Sequence, residues 1–255
     1  MLVDSHTHLN FKVYNEDRAE VIARCKDMKL INIGAALETS RQAVELALAN
    51  DNFYASIGLH PIHVNDEEFN INEYKKLIKK DKVIAIGETG LDYFHHQEEK
   101  KEQKELFIKQ IKLAQESNLP LVIHGRNGKE HQGAYIDIYN ILKYYKMNRG
   151  VVHCYGGNLV EAKKFISFGL YLGFTGIVTF DKTGRLEEII KKIPENRILI
   201  ETDAPYLTPE PYRGKRNEPS YVKYVAQKIA EIKNKNIEEI IEITGNNAIK
   251  LFNLK

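Results

Sequence analysis

The chain has 255 residues, 43% of them hydrophobic and 28% charged, with Lys+Arg 37 against Asp+Glu 35 and a formal net charge of +2. This is ordinary globular composition, which excludes a disordered or fibrous chain. The even charge excludes a uniformly basic nucleic-acid coat but leaves room for a basic patch around a cleft. Cys25 and Cys154 are too few for a disulfide framework, and the length suits one sizeable core, so a single domain spanning 1–255 in a reducing compartment is expected. A candidate ligand already stands at position 6, which leaves no room for a signal peptide, and the longest mostly apolar stretch, 169–180, is too short to span a bilayer. These features predict a soluble, cytoplasmic protein.

Short apolar or β-branched runs alternate with amphipathic segments along the chain, the sequence form of repeated βα units. Strands are predicted near residues 2–6, 31–35, 54–59, 83–88, 120–124, 150–154, 170–174 and 197–203. Between the fourth and fifth runs, in 97–117, Leu106, Ile108, Ile111, Leu113 and Ala114 form an apolar stripe at helical spacing. Segments 220–231, opened by Pro219-Ser220, and 236–252 predict two final helices. Eight such units in a chain of about 250 residues predict an α/β fold, a (β/α)8 TIM barrel with an extra C-terminal helix.

The runs share an ending. LVDSH closes on His6 with His8 just beyond, VIAIGE on Glu88, LVIH on His124, GVVH on His153 and ILIETD on Asp203. In a parallel barrel the C-terminal strand ends converge on one mouth, where active sites of this fold lie. A lone H-x-H or strand-end histidine is commonly structural, but interior carboxylates are costly unless paired or metal-bound. Together these residues point to a metal site of mixed nitrogen and oxygen donors.

Strand alternation places Asp4, His6 and His8 on one face, Ile84, Ile86 and Glu88 on another, and Glu201 with Asp203, while turning Cys154 toward the helical layer. Asp4, Glu201 and Asp92 are expected to fix histidine tautomers or pair with an interior cation. Arg126, Arg213, Lys215 and Arg216 fall on the mouth side, where they are either phosphate contacts or plain surface charge. Tyr93, Phe94 and Tyr206 either stack bases at the rim or pack. His95, His96 and His131 end no apolar run and are expected to face solvent.

The motifs DSHTHL (4–9), GLHP (58–61), GETGLDY (87–93), LVIHGR (121–126), VVHCYGG (151–157) and ETDAPYLTPEPYRGKRNEP (201–219) resemble those of TatD-family deoxyribonucleases, a branch of the amidohydrolase-like TIM barrels. The likeness runs through nearly the whole chain. The last motif is the most specific, since its Pro, Arg and Gly spacing has no generic structural explanation. Tyr155-Gly156-Gly157 and Thr89 depart from the family pattern at positions that bear on loop packing. The resemblance implies two divalent ions, Mg²⁺, Mn²⁺ or Zn²⁺, bridged by Glu88. One would be held by His6, His8, Glu88 and Asp203, and the other by Glu88, His124 and His153. It further implies that Asp203 orients or deprotonates a water, and that His60 contacts phosphate or stabilises developing charge. His63, in the loop beyond, is either a substrate contact or a solvated histidine.

Three functional classes follow. The first is a metal-dependent DNase acting on single-stranded or damaged DNA from the 3′ end, needing neither a membrane nor an obligatory protein partner. The second is a small-molecule amide, lactone or phosphoester hydrolase; its carbamylated-lysine form is disfavoured because the run 83–88 offers no inward lysine. The third, a metal-stabilised scaffold, would need neither His60 nor basic mouth loops.

Overall fold

A computed structural model of the chain describes residues 1–95, 98–129 and 133–255. Parallel strands β1 (Val3–Thr7), β2 (Lys29–Ile33), β3 (Phe53–Ile57), β4 (Val83–Asp92), β5 (Leu121–Arg126), β6 (Gly150–Val152), β7 (Tyr171–Phe174) and β8 (Ile198–Ile200) form one eight-stranded sheet in chain order. The ring closes where Thr7 bridges Ala204 in parallel. Helices α1 (Arg18–Ala23), α2 (Leu37–Leu48), α3 (Ile71–Ile78), α4 (Lys100–Glu116), α5 (Ala134–Tyr144), α6 (Leu159–Phe168), α7 (Arg185–Lys192) and α8 (Val222–Lys233) follow the strands in turn, and α9 (Ile237–Phe252) is the additional C-terminal helix. The molecule is a (β/α)8 barrel.

Apolar side chains divide into two layers. Outward strand residues such as Leu30, Ile57, Ile123 and Leu172 pack on helix residues such as Phe107, Ile138 and Phe165. Inward residues Val3, Ile31, Tyr54, Ala85, Val122, Val151, Tyr171 and Leu199 fill the barrel and meet Ala248, Leu251 and Phe252 of α9. The extra helix therefore plugs the N-terminal end, leaving the opposite mouth as the open one. Local signals support these bounds. Asn158 caps α6 reciprocally with Glu161, and Gly169 ends it at φ 112°, a left-handed conformation that costs glycine little.

Strand ends depart from simple alternation in ways that place the site. Ala85 packs inside the barrel and Ile86 in the outer layer, so Ile84, Ile86 and Glu88 do not share a face as the sequence pattern predicts. The β4–β5 register shifts between Ile86 and Thr89, which lets Glu88 turn inward. A second shift, between Asp4 and Thr7, separates Asp4 from the face of His6 and His8. β6 and β8 stop at Val152 and Ile200, so His153 and Asp203 stand in the turns that follow. Asp203 and Cys154 take left-handed backbone conformations, φ 56° and 43°, strain of the kind that collects at functional sites.

Phe252 is 2% exposed within the inner layer. Phe252→Ala is expected to lower unfolding free energy by about 3–5 kcal/mol in a denaturant titration. A loss below about 1 kcal/mol would mean that α9 does not seal the barrel core.

Candidate metal centre

Glu88 is 4% exposed and lies at the middle of the mouth. Its Oε2 is 3.4 Å from His6 Nε2 and 3.9 Å from His8 Nε2. Its Oε1 is 3.0 Å from His124 Nδ1, 3.2 Å from His153 Nε2 and 3.4 Å from His60 Nε2. Asp203 Oδ1 stands 3.5 Å from His6 Nε2 and 3.4 Å from His8 Nε2. The two carboxylate oxygens of Glu88 thus face two different groups of donors.

The outer nitrogen of most of these rings is held by a partner that fixes which nitrogen faces inward. His8 Nδ1 lies 3.0 Å from the Ile33 carbonyl, which can only accept, so Nδ1 carries the proton and Nε2 presents a lone pair. His153 Nδ1 is 3.1 Å from Glu201 Oε1, an oxygen that also accepts the Cys154 N–H at 2.5 Å. His124 Nε2 is 3.1 Å from Asp92 Oδ2, leaving Nδ1 toward Glu88. His60 differs. Its Nδ1 accepts the Ile62 N–H at 3.2 Å, so in the neutral ring Nε2 carries the proton and faces Glu88 as a donor.

Charge follows this geometry. Burial pushes the Glu88 carboxyl up, but the surrounding His153, His60, His6 and His124 outweigh it and hold the group well below the usual carboxylate range. Burial pushes Asp203 up too, but the nearby His8, His153 and His6 imidazoles outweigh it and leave the group lowered. Asp92, likewise pushed up by burial, is held far down by His124 and His95. His60 is lowered to about 4, chiefly by burial, which keeps the ring neutral near pH 7.

The donor chemistry fits divalent ions. Bare imidazole nitrogens and ionised carboxylates converge, with His6 Nε2 and His8 Nε2 only 3.2 Å apart. Among the described residues, His6, His8 and Asp203, then His6, Glu88 and His153, then His60, Glu88 and His124, each bring ligand atoms within 4.8 Å of one another. Mixed nitrogen and oxygen donors of this kind suit Zn²⁺ and Mn²⁺. The third of these groupings contains His60, whose inward N–H is a donor and not a lone pair.

A family model described as TatD related DNase matches residues 3–253. The chain belongs to the TatD family. It is 44% identical over its full length, and the relative's full length, to an uncharacterized metal-dependent hydrolase, YabD, of Bacillus subtilis. It is 33% identical to the 3′-5′ ssDNA/RNA exonuclease TatD of Pantoea ananatis, over 99% of this chain and 100% of that one. The crystal structure of the TatD homologue YJJV from Escherichia coli superposes with a TM-score of 0.92 at 27% identity, covering 100% of this chain and 98% of the other. This TatD-family chain is a metal-dependent hydrolase that acts on ester bonds.

Other residues singled out in the sequence fall in varied places. Asp4 touches no histidine ring; it accepts the His6 N–H, the Thr202 N–H and the Thr202 hydroxyl, so it secures the seam between β1 and the end of β8. His63 is outside the cluster, 3.4 Å from Asp66 at the surface. Arg126 lies over Phe94, its guanidinium 4.2 Å from the ring centroid, at the exposed rim. Arg213 donates to the Thr208 carbonyl and covers Phe180 at 3.8 Å. Lys215 stands over Tyr212. Arg216 is paired with Asp17 and donates to the Val13 carbonyl, so it ties the β8 loop to the β1 loop.

The PEPYRGKRNEP frame therefore does have a structural explanation: besides Arg216, Glu218 pairs with Arg24 and Asn217 accepts from Tyr14 through its carbonyl. Tyr93 is buried, its hydroxyl donating to Asp137, which makes it packing; Phe94 and Tyr206 stay exposed. Cys154 lies beyond the end of β6 with its sulfur 3.6 Å from Thr175 Oγ1, and it takes no part in the ligand groupings. His95 is half exposed yet bonded to Asp92 through both its ring and its N–H, so it is not simply solvated. His96 and His131 lie outside the described residues. Sequence reasoning missed Phe11, which stacks on His8 at 4.4 Å; its only signal is an aromatic residue just past the H-x-H pair.

Glu201→Gln and Asp92→Asn each disturb the partner that orients an inward histidine. Each is expected to weaken Zn²⁺ affinity about 10- to 100-fold in a chelator competition while the circular dichroism spectrum stays native. Unchanged affinity in both variants would contradict the orienting role.

Proposed function

We propose that this chain is a nuclease that removes nucleotides from the 3′ end of single-stranded or damaged DNA, using two divalent ions bridged by Glu88. The observation that carries the reading is the division of Glu88: Oε2 looks to His6 and His8, joined by Asp203, while Oε1 looks to His124 and His153. One carboxylate between two donor sets would suit a pair of divalent ions. A pair of this kind activates a water at neutral pH and stabilises both attacking and leaving oxygens of a displaced phosphodiester.

Each neighbouring residue then has a task. Asp203, ionised and half turned to the mouth, accepts the proton of the attacking water. His60, neutral with its Nε2–H inward, donates to a phosphoryl oxygen as charge develops there. Glu201 and Asp92 keep His153 and His124 in the required tautomers. Exposed Arg126 at the end of β5 supplies attraction for the phosphate backbone. Polarity and the preference for a nucleic acid are supported by the exonuclease name carried by the Pantoea ananatis relative.

A time course on 5′-labelled single-stranded DNA tests this reading, using metal-stripped protein with Mg²⁺ or Mn²⁺ restored. The expected product is a one-nucleotide ladder shortening from the 3′ end, abolished in Glu88→Ala and weakening steeply with added salt. Absence of cleavage with any metal, in protein that binds two ions, would overturn it in favour of a small-molecule substrate.

A further inference from the structure

Beside His8 and Asp203 opens a cavity of about 750 Å³ that the chemistry above does not use. Its walls come from three places: the segment after β1 with Phe11 and Lys12, the start of α2 with Glu38 and Gln42, and the β8 loop with Tyr206 and Arg216. This volume lies in the range of small-molecule pockets.

Two lining residues join the cavity to the metal centre. Phe11 lines it and stacks on the His8 ring at 4.4 Å with planes 22° apart. Tyr206 lines it from the other loop, its N–H donating to the Asp203 carbonyl at 2.8 Å. Tyr206 is nonetheless 55% exposed, an aromatic ring anchored at the backbone and open on the cavity side. Charge in the lining selects further. Arg216 is already satisfied by Asp17 and by the Val13 carbonyl and rests over Tyr14, so it forms wall and not a free cation. Lys12 and Glu38 bring one charge of each sign to the lining, which gives it no net preference for a phosphate, and Gln42, which donates to Glu38 at 3.0 Å, offers a polar edge. An uncharged aromatic ring with polar rim atoms suits such a lining better than a phosphate does.

We infer that this cavity receives the nucleobase adjoining the phosphate under attack, with Phe11 and Tyr206 as stacking surfaces. The inference rests on the nuclease reading and adds a subsite to it. Base–aromatic stacking tolerates every base, so the subsite gives affinity without sequence preference. Phe11 also supports His8, so its substitution would disturb the metal centre. Tyr206 is the residue to vary.

Isothermal titration of Mn²⁺-loaded protein with dAMP and with deoxyribose 5-phosphate isolates the contribution of the base. Wild type is expected to bind dAMP about tenfold more tightly than the sugar phosphate. Tyr206→Ala should lose most of that difference and Tyr206→Phe should keep it, with deoxyribose 5-phosphate bound equally by all three. Equal affinity of wild type for the two probes, no binding of dAMP, or an unchanged difference in Tyr206→Ala would overturn the subsite. The 3′ ladder assay judges the nuclease reading separately: protein that cleaves no oligonucleotide but discriminates dAMP in this way would sink that reading and leave a nucleotide-binding cavity.

Discussion

A carboxylate buried to 4% exposure, as Glu88 is, carries a desolvation cost of several kcal/mol unless cations or hydrogen bonds compensate it. That cost organises the mouth of the barrel. Imidazoles from β1 and β5 and from the segments just after β1, β3 and β6 are drawn to within 3.0–3.9 Å of its two oxygens. The outer partners Ile33 carbonyl, Asp92 and Glu201 take the ring N–H of His8, His124 and His153, so these rings turn lone pairs toward the Glu88 oxygens, a repulsion that a cation between them would relieve. The Ile62 N–H sets the opposite tautomer for His60, so its inward nitrogen is a donor where the others offer lone pairs.

The same site closes the barrel. Between β1 and β8 the ladder is reduced to the Thr7–Ala204 bridge, with the Asp203 N–H donating to the His6 carbonyl and the His8 N–H to the Ala204 carbonyl. Asp4 reinforces this seam from behind, and the Arg216–Asp17 and Arg24–Glu218 pairs hold the long β8 loop against the β1 loop. Ligand placement and ring closure are therefore one set of contacts. Gly173 shows how tight the arrangement is: a Cβ there would collide with the Glu201 carboxylate, so only glycine leaves room for the group that orients His153.

Strand number, order and the extra helix were legible in the sequence because period-two runs and a 3.6-residue stripe are dictated by burial alone. The chemistry-bearing strand ends were legible for a related reason, since a strand-end histidine alone is commonly structural but several His and carboxylates ending apolar runs together have few bland explanations. What alternation could not show was where it breaks. The shift at Gly87 and the one between Asp4 and Thr7 depend on contacts with neighbouring strands, so Asp4 and Ile86 were assigned to the wrong faces. For Arg216 the sequence leaves phosphate contact and plain surface charge both open, because its partner Asp17 lies some two hundred positions away in the chain. Phe11 and His95 were obscure because their importance lies in what they touch and not in any run they end.

The central claim is that one carboxylate joins two ions, and magnetic coupling reads that bond most directly. Electron paramagnetic resonance of protein loaded with Mn²⁺ to saturation should show the spectrum of an exchange-coupled pair, replaced in Glu88→Gln by that of isolated ions or by loss of bound metal. A wild-type spectrum of isolated Mn²⁺ only, at full loading, would contradict the bridge and with it the account of the site.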